Sequence, residues 1–131
     1  MRSILEQSCV VWHSSLTKEN SDDLERVQKC ALRIILGNRY KDYENGLKLI
    51  GLETLEQRRI NLCRKFALKS LKHEKTKSMF PLRKNEHGMK KRKDEKFAVQ
   101  FARTKRFQNS SIIYMQNQLN KIFSKNKRTP G

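Results

Sequence analysis

Two segments of this chain carry the residue types that grip phosphate. Lys90-Lys91-Arg92-Lys93 is a run of four cations, and Arg103-Thr104-Lys105-Arg106-Phe107 sets three cations beside an aromatic ring. Ammonium and guanidinium groups neutralise backbone phosphates without reading base identity. Phe97, Phe101 and Phe107 are rings on which bases could stack. Arg58, Arg59, Arg64 and Lys65 add a third basic group, on a stretch with helical spacing. The plain alternative is that the three phenylalanines pack on a helical core while the cations are only solvated. Lys90 to Lys93 also fits the pattern of a nuclear-localisation signal.

Other chemistry finds little to work with. Cys9, Cys30, Cys63, His13, His73 and His87 have no zinc-ligand spacing. Cys30 and Cys63 fall on or beside apolar helix faces, where packing is the expected role. Five glycines are scattered singly, so no phosphate-cradling loop is present, and nothing resembles a serine or cysteine nucleophile motif. Asp22-Asp23 is the one carboxylate pair worth weighing for Mg²⁺ and nucleotidyl transfer. It stands near a helix start, after Asn20-Ser21, where complementing the helix dipole accounts for it. No catalytic residue, metal, cofactor or small-molecule substrate is expected.

Bulk charge points the same way as the basic segments. The chain has 131 residues, 30 Lys and Arg against 13 Asp and Glu, and a net charge of +17. Residues 1–72 account for +5 and residues 73–131 for +12. So basic a chain attracts polyanions and releases their counterions on binding, which makes nonspecific RNA or DNA binding the expected partnership. An anionic membrane fits less well, because no long apolar helix accompanies the charge, and no run approaches the length that spans a bilayer. Three widely spaced cysteines form no disulfide framework, so a reducing compartment, nuclear or cytoplasmic, is expected. No signal peptide is evident.

These residues must be held by helices. The fold class expected is mainly α: a small bundle of helices over 2–12, 17–36, 43–50 and 54–72, then a basic, largely irregular tail. The first helix lacks an N-cap, as would a helix entered midway. Thr17 or Ser21 caps the second, in which Leu24, Val27, Ala31, Ile34 and Ile35 follow 3-4 spacing, with Gly37 as its C-cap. Tyr43, Leu47 and Ile50 mark the third helix, stopped by Gly51. Thr54-Leu55-Glu56-Gln57 reads as a capping box, opening a helix whose apolar stripe is Leu55, Leu62, Cys63, Phe66, Ala67 and Leu71. Residues 73–95 read as a basic linker. In residues 96–131 the alternation of Phe97, Val99 and Phe101 suits a short strand, and Ile112, Met115, Leu119, Ile122 and Phe123 suit a terminal helix capped by Ser110 or Ser111. Residues 1–72 hold 30 apolar residues and 73–131 only 17, so the second part is not expected to fold alone.

The succession of segments resembles one family. Val11-Trp12-His13-Ser14-Ser15-Leu16-Thr17, Leu24-Glu25-Arg26-Val27-Gln28-Lys29 and Ala31-Leu32-Arg33-Ile34-Ile35-Leu36-Gly37 are similar to the region after the polymerase core in non-LTR retrotransposon reverse transcriptases of the jockey and CR1 type. Gly51-Leu52-Glu53-Thr54-Leu55-Glu56-Gln57-Arg58-Arg59, Leu62-Cys63-Arg64-Lys65-Phe66-Ala67, Ala102-Arg103-Thr104-Lys105-Arg106-Phe107-Gln108-Asn109-Ser110, Tyr114 and Leu119-Asn120 continue it in order. The family's aromatic-Ala-Asp-Asp polymerase box is missing, and Asp22-Asp23 does not match it. Ile113 stands where the family often has a proline before the tyrosine. The resemblance therefore implies a thumb-like segment (1–72) that lies against a template–primer duplex, a polymerase core as partner in cis or trans, and no catalytic residue in this chain.

Overall fold

The computed structural model describes residues 2–83 and 96–126. The helices are α1 (Arg2–Glu6), α2 (Cys9–Trp12), α3 (Lys18–Leu36), α4 (Tyr43–Ile50), α5 (Leu55–Ser70), α6 (Glu74–Lys77), α7 (Lys105–Gln108) and α8 (Ser111–Asn126), with 3-10 turns at His13–Ser15 and Gly37–Arg39. The chain is mainly helical, as its periodicity predicts. It divides into two compact units, Met1–Leu62 and Cys63–Gly131, so the division falls inside α5 rather than at residue 72.

In the first unit, the helix expected over 2–12 is broken. Ser8 takes a left-handed conformation, φ 52° and ψ 25°. The Trp12 indole N–H donates to the Gln7 carbonyl at 2.8 Å, and the Val11 N–H turns to the Ser8 carbonyl at 2.9 Å. The indole thus takes over an acceptor that an uninterrupted helix would give to the Val11 amide four residues on. The break leaves Cys9 buried. Burial pushes its thiol up, the Glu6 carboxylate adds to this, and Arg59 opposes it.

Helix α3 is capped by the Thr17 hydroxyl, which accepts from the Asn20 N–H at 3.2 Å. Its buried side is not the apolar stripe that sequence spacing marks. Gln28 and Leu32 are buried, Leu24 and Ala31 are half-buried, and Val27, Ile34 and Ile35 are exposed. Buried Gln28 keeps partners for its amide donor: Nε2 donates to the Tyr43 hydroxyl oxygen at 3.0 Å and to the Glu53 carbonyl at 3.3 Å, while Oε1, also buried, has no hydrogen-bond partner among the described residues. Tyr43 in turn donates to the Glu25 carboxylate. Against α4, a Cβ on Gly46 would lie 3.3 Å from the Leu36 and Tyr40 side chains, so this approach favours glycine.

Helix α4 ends at Gly51 in the left-handed region, φ 68°. The Gly51 N–H bonds to the Lys48 carbonyl at 3.2 Å and the Leu52 N–H to the Leu47 carbonyl at 2.8 Å, the paired bonds of a Schellman end. The capping box that opens α5 is half formed. Thr54 Oγ1 accepts from the Gln57 N–H at 3.2 Å, but the Gln57 amide turns to Asn61 at 3.4 Å instead of reaching back. A free amide of the first turn is taken from afar: Glu25 Oε1 accepts from the Glu56 N–H at 2.9 Å.

Among the described residues of the second unit, Cys63, Ala67, Phe80, Phe97, Ile113, Met115 and Leu119 are the buried apolar ones. The apolar count predicts that residues 73–131 do not fold alone. The second part of α5 supplies Cys63 and Ala67 to it, and Phe80 joins them. Nor is 73–83 a plain linker: α6 forms there, with the Thr76 hydroxyl donating to the Ser70 carbonyl at 2.8 Å. Residues 84–95 lie outside the described residues.

No strand forms at 97–101; one antiparallel bridge joins Leu82 and Phe97. The segment is nonetheless held on both edges. On one, the Arg83 N–H bonds to the Lys96 carbonyl at 3.0 Å and the Ala98 N–H to the Pro81 carbonyl at 2.9 Å. On the other, Asn120 of α8 accepts from the Phe97 N–H at 2.9 Å and donates to the Phe97 carbonyl at 3.1 Å. Gln116, one turn earlier and fully buried, accepts from the Gln100 N–H at 3.2 Å and donates to the Met79 carbonyl at 2.9 Å. A helix's side-chain amides here do what a neighbouring strand would do. Phe97 packs on Phe123, with ring centroids 5.5 Å apart.

Candidate nucleic-acid interface

The basic residues singled out by sequence separate into three groups. Arg58 and Arg59 belong to the first unit and are engaged. Arg58 Nε pairs with Glu6 Oε1 at 2.6 Å. Arg59 is fully buried, with its guanidinium 5.9 Å from the Trp12 ring centroid and Nη2 donating to Ser21 Oγ at 2.8 Å. It is therefore removed from the interface: a side chain with no exposed surface cannot meet a phosphate. Lys90, Lys91, Arg92 and Lys93 lie outside the described residues.

The remaining cations belong to the second unit. Arg64 is half-buried and donates to Gln118 Oε1 at 3.0 Å, which ties its Nε to the fold. Lys65 is exposed on α5. Arg103, Lys105 and Arg106 are exposed, and none pairs with a carboxylate among the described residues. The turn that carries them is fixed by Thr104, whose hydroxyl accepts from the Phe107 N–H at 3.2 Å. Phe107 is 45% exposed. Of the other two rings read as stacking candidates, Phe97 is buried at 3% and Phe101 is 89% exposed.

Several exposed cations were not singled out: Lys69, Lys72, Lys75, Lys77, Lys96 and Lys121. Lys96 Nζ lies 4.3 Å from the Phe123 ring centroid. Their common signal is visible only once the unit boundary is known. Met1–Leu62 holds 10 basic and 9 acidic residues, a net +1, while Cys63–Gly131 holds 20 and 4, a net +16. Among the described residues of the second unit, Glu74 is the one acidic side chain. Charge of one sign, confined to one compact unit, builds the potential that attracts a polyanion.

The carboxylate pair near the start of α3 has different surroundings. Asp23 pairs with Arg26 at 2.8 Å. Asp22 lines an open cleft with Glu25, Arg26, Lys29, Tyr43, Thr54 and Glu56. Among the described residues, no three His, Cys, Asp or Glu side chains converge as a metal site. Cys30 is exposed, not packed as its position suggested, whereas Cys63 is buried. No helix of the described residues is long and apolar enough to cross a membrane. His13 is held below its usual range by burial, with Arg59 adding to the effect and Glu56 opposing it. No protein-family model, curated protein or solved structure matches the chain.

Proposed function

We propose that this chain is a non-catalytic nucleic-acid-binding module, and that it corresponds to the thumb-like and tail region of a non-LTR retrotransposon reverse transcriptase. Its second unit holds RNA or DNA by the phosphate backbone, without regard to sequence. The observation that carries this reading is the segregation of charge, +16 on Cys63–Gly131 against +1 on Met1–Leu62. Arg103, Lys105 and Arg106 support it as exposed cations on an anchored turn, with Lys65 as a further exposed cation on α5.

The test is a titration of labelled RNA and DNA at several salt concentrations. Contact with about five phosphates gives a log–log slope of about −3.5 on single strands. Replacing Arg103, Lys105 and Arg106 together by Ala is expected to flatten that slope by about 2. An affinity indifferent to salt, or no binding at low salt, would sink the proposal.

A second reading rests on the exposed apolar residues of the first unit. Ile34 and Ile35 on α3 are 83% and 71% exposed, and Leu49 on α4 is 57% exposed. Such surface favours packing on another protein, a polymerase core supplied in cis or in trans. Light scattering of the isolated chain distinguishes the two: self-association that Ile34→Ser with Ile35→Ser abolishes favours the second reading.

A further inference from the structure

We infer that the second unit prefers unpaired strands to duplex, and that Phe101 supplies the stacking platform. This rests on the reading of that unit as a nucleic-acid binder, and it names the form of nucleic acid the unit takes.

Three phenylalanines punctuate the basic segment, and the fold treats them differently. Phe97 is spent on the core, against Phe123. Phe107 is half shielded on α7. Phe101 is left 89% exposed, the most exposed of the large apolar residues described in the chain. Its position is held from both sides. Gln100, just before it, donates its N–H to the buried Gln116 at 3.2 Å, and Gln116 is fixed in turn by Met79 at 2.9 Å. Thr104, three residues on, caps α7. The ring thus projects from backbone that is anchored before binding, which lowers the ordering cost of an encounter.

The surroundings specify the ligand. Arg103, Lys105 and Arg106 follow within five residues, all exposed. A ring followed within five residues by three cations suits a ligand with a flat apolar face and a phosphate on the same short unit, which is a nucleotide. The face of a base is free only where the strand is unpaired; in a duplex, neighbouring pairs already cover it. Phosphates are present on both forms. The cations therefore bind either form, and Phe101 adds affinity for the single strand alone.

The experiment uses the full chain with labelled oligouridine and oligothymidine, each alone and annealed to its complement. Fluorescence anisotropy reads the affinity at several salt concentrations. Single strands are expected to bind more tightly than their duplexes. Phe101→Ala is expected to weaken single-strand binding roughly 5- to 150-fold, with duplex affinity and the salt slope unchanged. Phe101→Trp, which keeps an aromatic face, is expected to retain the single-strand affinity. Circular dichroism checks that both variants keep their helices.

If Phe101→Ala leaves single-strand affinity unaltered, or lowers both forms equally, the inference is overturned while the module's binding function stands. Equal wild-type affinity for the two forms also overturns it. Wild-type protein that binds neither form overturns the proposed function together with this inference.

Discussion

Glu25 on α3 caps α5: its Oε1 accepts from the Glu56 N–H at 2.9 Å, across 31 residues of chain. Its other oxygen accepts a hydrogen bond from the Tyr43 hydroxyl, so one carboxylate joins three helices of the first unit. Glu25→Ala is expected to destabilise that unit by about 2 kcal/mol, the upper range for a lost cap, because the Tyr43 hydroxyl loses its acceptor as well. Urea denaturation followed by circular dichroism measures it. A change below about 0.5 kcal/mol would mean that water replaces the carboxylate without cost.

Asn120→Ala strips the Phe97 backbone of partners for both its N–H and its C=O. These groups are part-buried, and leaving them unsatisfied is expected to cost about 2–4 kcal/mol. Hydrogen exchange at the Phe97 amide reports the same loss locally. Native-like protection in the variant would contradict the clamp.

Leu119 and Phe66 should rank opposite to their sizes. Leu119 is fully buried, so Leu119→Ala is expected to cost roughly 2–5 kcal/mol. Phe66 falls on the apolar stripe read from sequence but is 45% exposed, and Phe66→Ala is expected to stay below about 2 kcal/mol. Denaturation midpoints of the two variants decide the order.

Acid should weaken the first unit through His13. Burial and Arg59 lower its pKa below the ordinary 6.5, so the unfolded chain takes up the proton first as pH falls. Between 6.5 and the lower folded value the unfolded state binds more protons, and stability therefore drops with falling pH in that window. Below the folded value the loss levels off. His13→Gln is expected to flatten the profile between neutral pH and mild acid, measured by denaturant midpoints; an unchanged profile would assign the acid loss to other groups.

Thiol labelling should follow exposure. Cys30 is exposed, while Cys9 and Cys63 are buried. With an alkylating reagent under native conditions, Cys30 is expected to react first and Cys9 only on unfolding, because burial also keeps the Cys9 thiol protonated. Mass spectrometry of timed digests gives the order; early modification of Cys9 would show that the break at Ser8 opens readily.

The parts of the fold legible in sequence are those decided within a few residues. Thr17 and Thr54 cap the helices they precede, and Gly51 ends α4 in the left-handed region. What sequence misjudges is decided by groups far along the chain. Spacing ranks Val27, Ile34 and Ile35 above Gln28 because it counts apolar atoms, yet Tyr43 and Glu53 both accept from Gln28 Nε2 and so hold that side chain inside. Arg59 reads as an outward cation until Trp12 and Ser21 enclose it. Alternation at Phe97, Val99 and Phe101 suggests a strand, but a single bridge at Phe97 forms there, and spacing gives no hint that Asn120 and Gln116 bond to its backbone. The basic character of the candidate interface was legible from composition. Its confinement to one unit was not, because the boundary lies inside an uninterrupted helix.

The occupied edges around Phe97 also bear on solubility. A run bearing Phe97, Val99 and Phe101 has the alternating aromatic and β-branched character that favours intermolecular strand pairing and cross-β growth. Here Pro81 and Arg83 take the Ala98 N–H and the Lys96 carbonyl, and the α8 amides take the Phe97 N–H and carbonyl and the Gln100 N–H, so these groups are not offered to a second molecule. Helix α8 acts in this respect as a guard against fibril formation, and cleaving it away would release a segment prone to template its own aggregation.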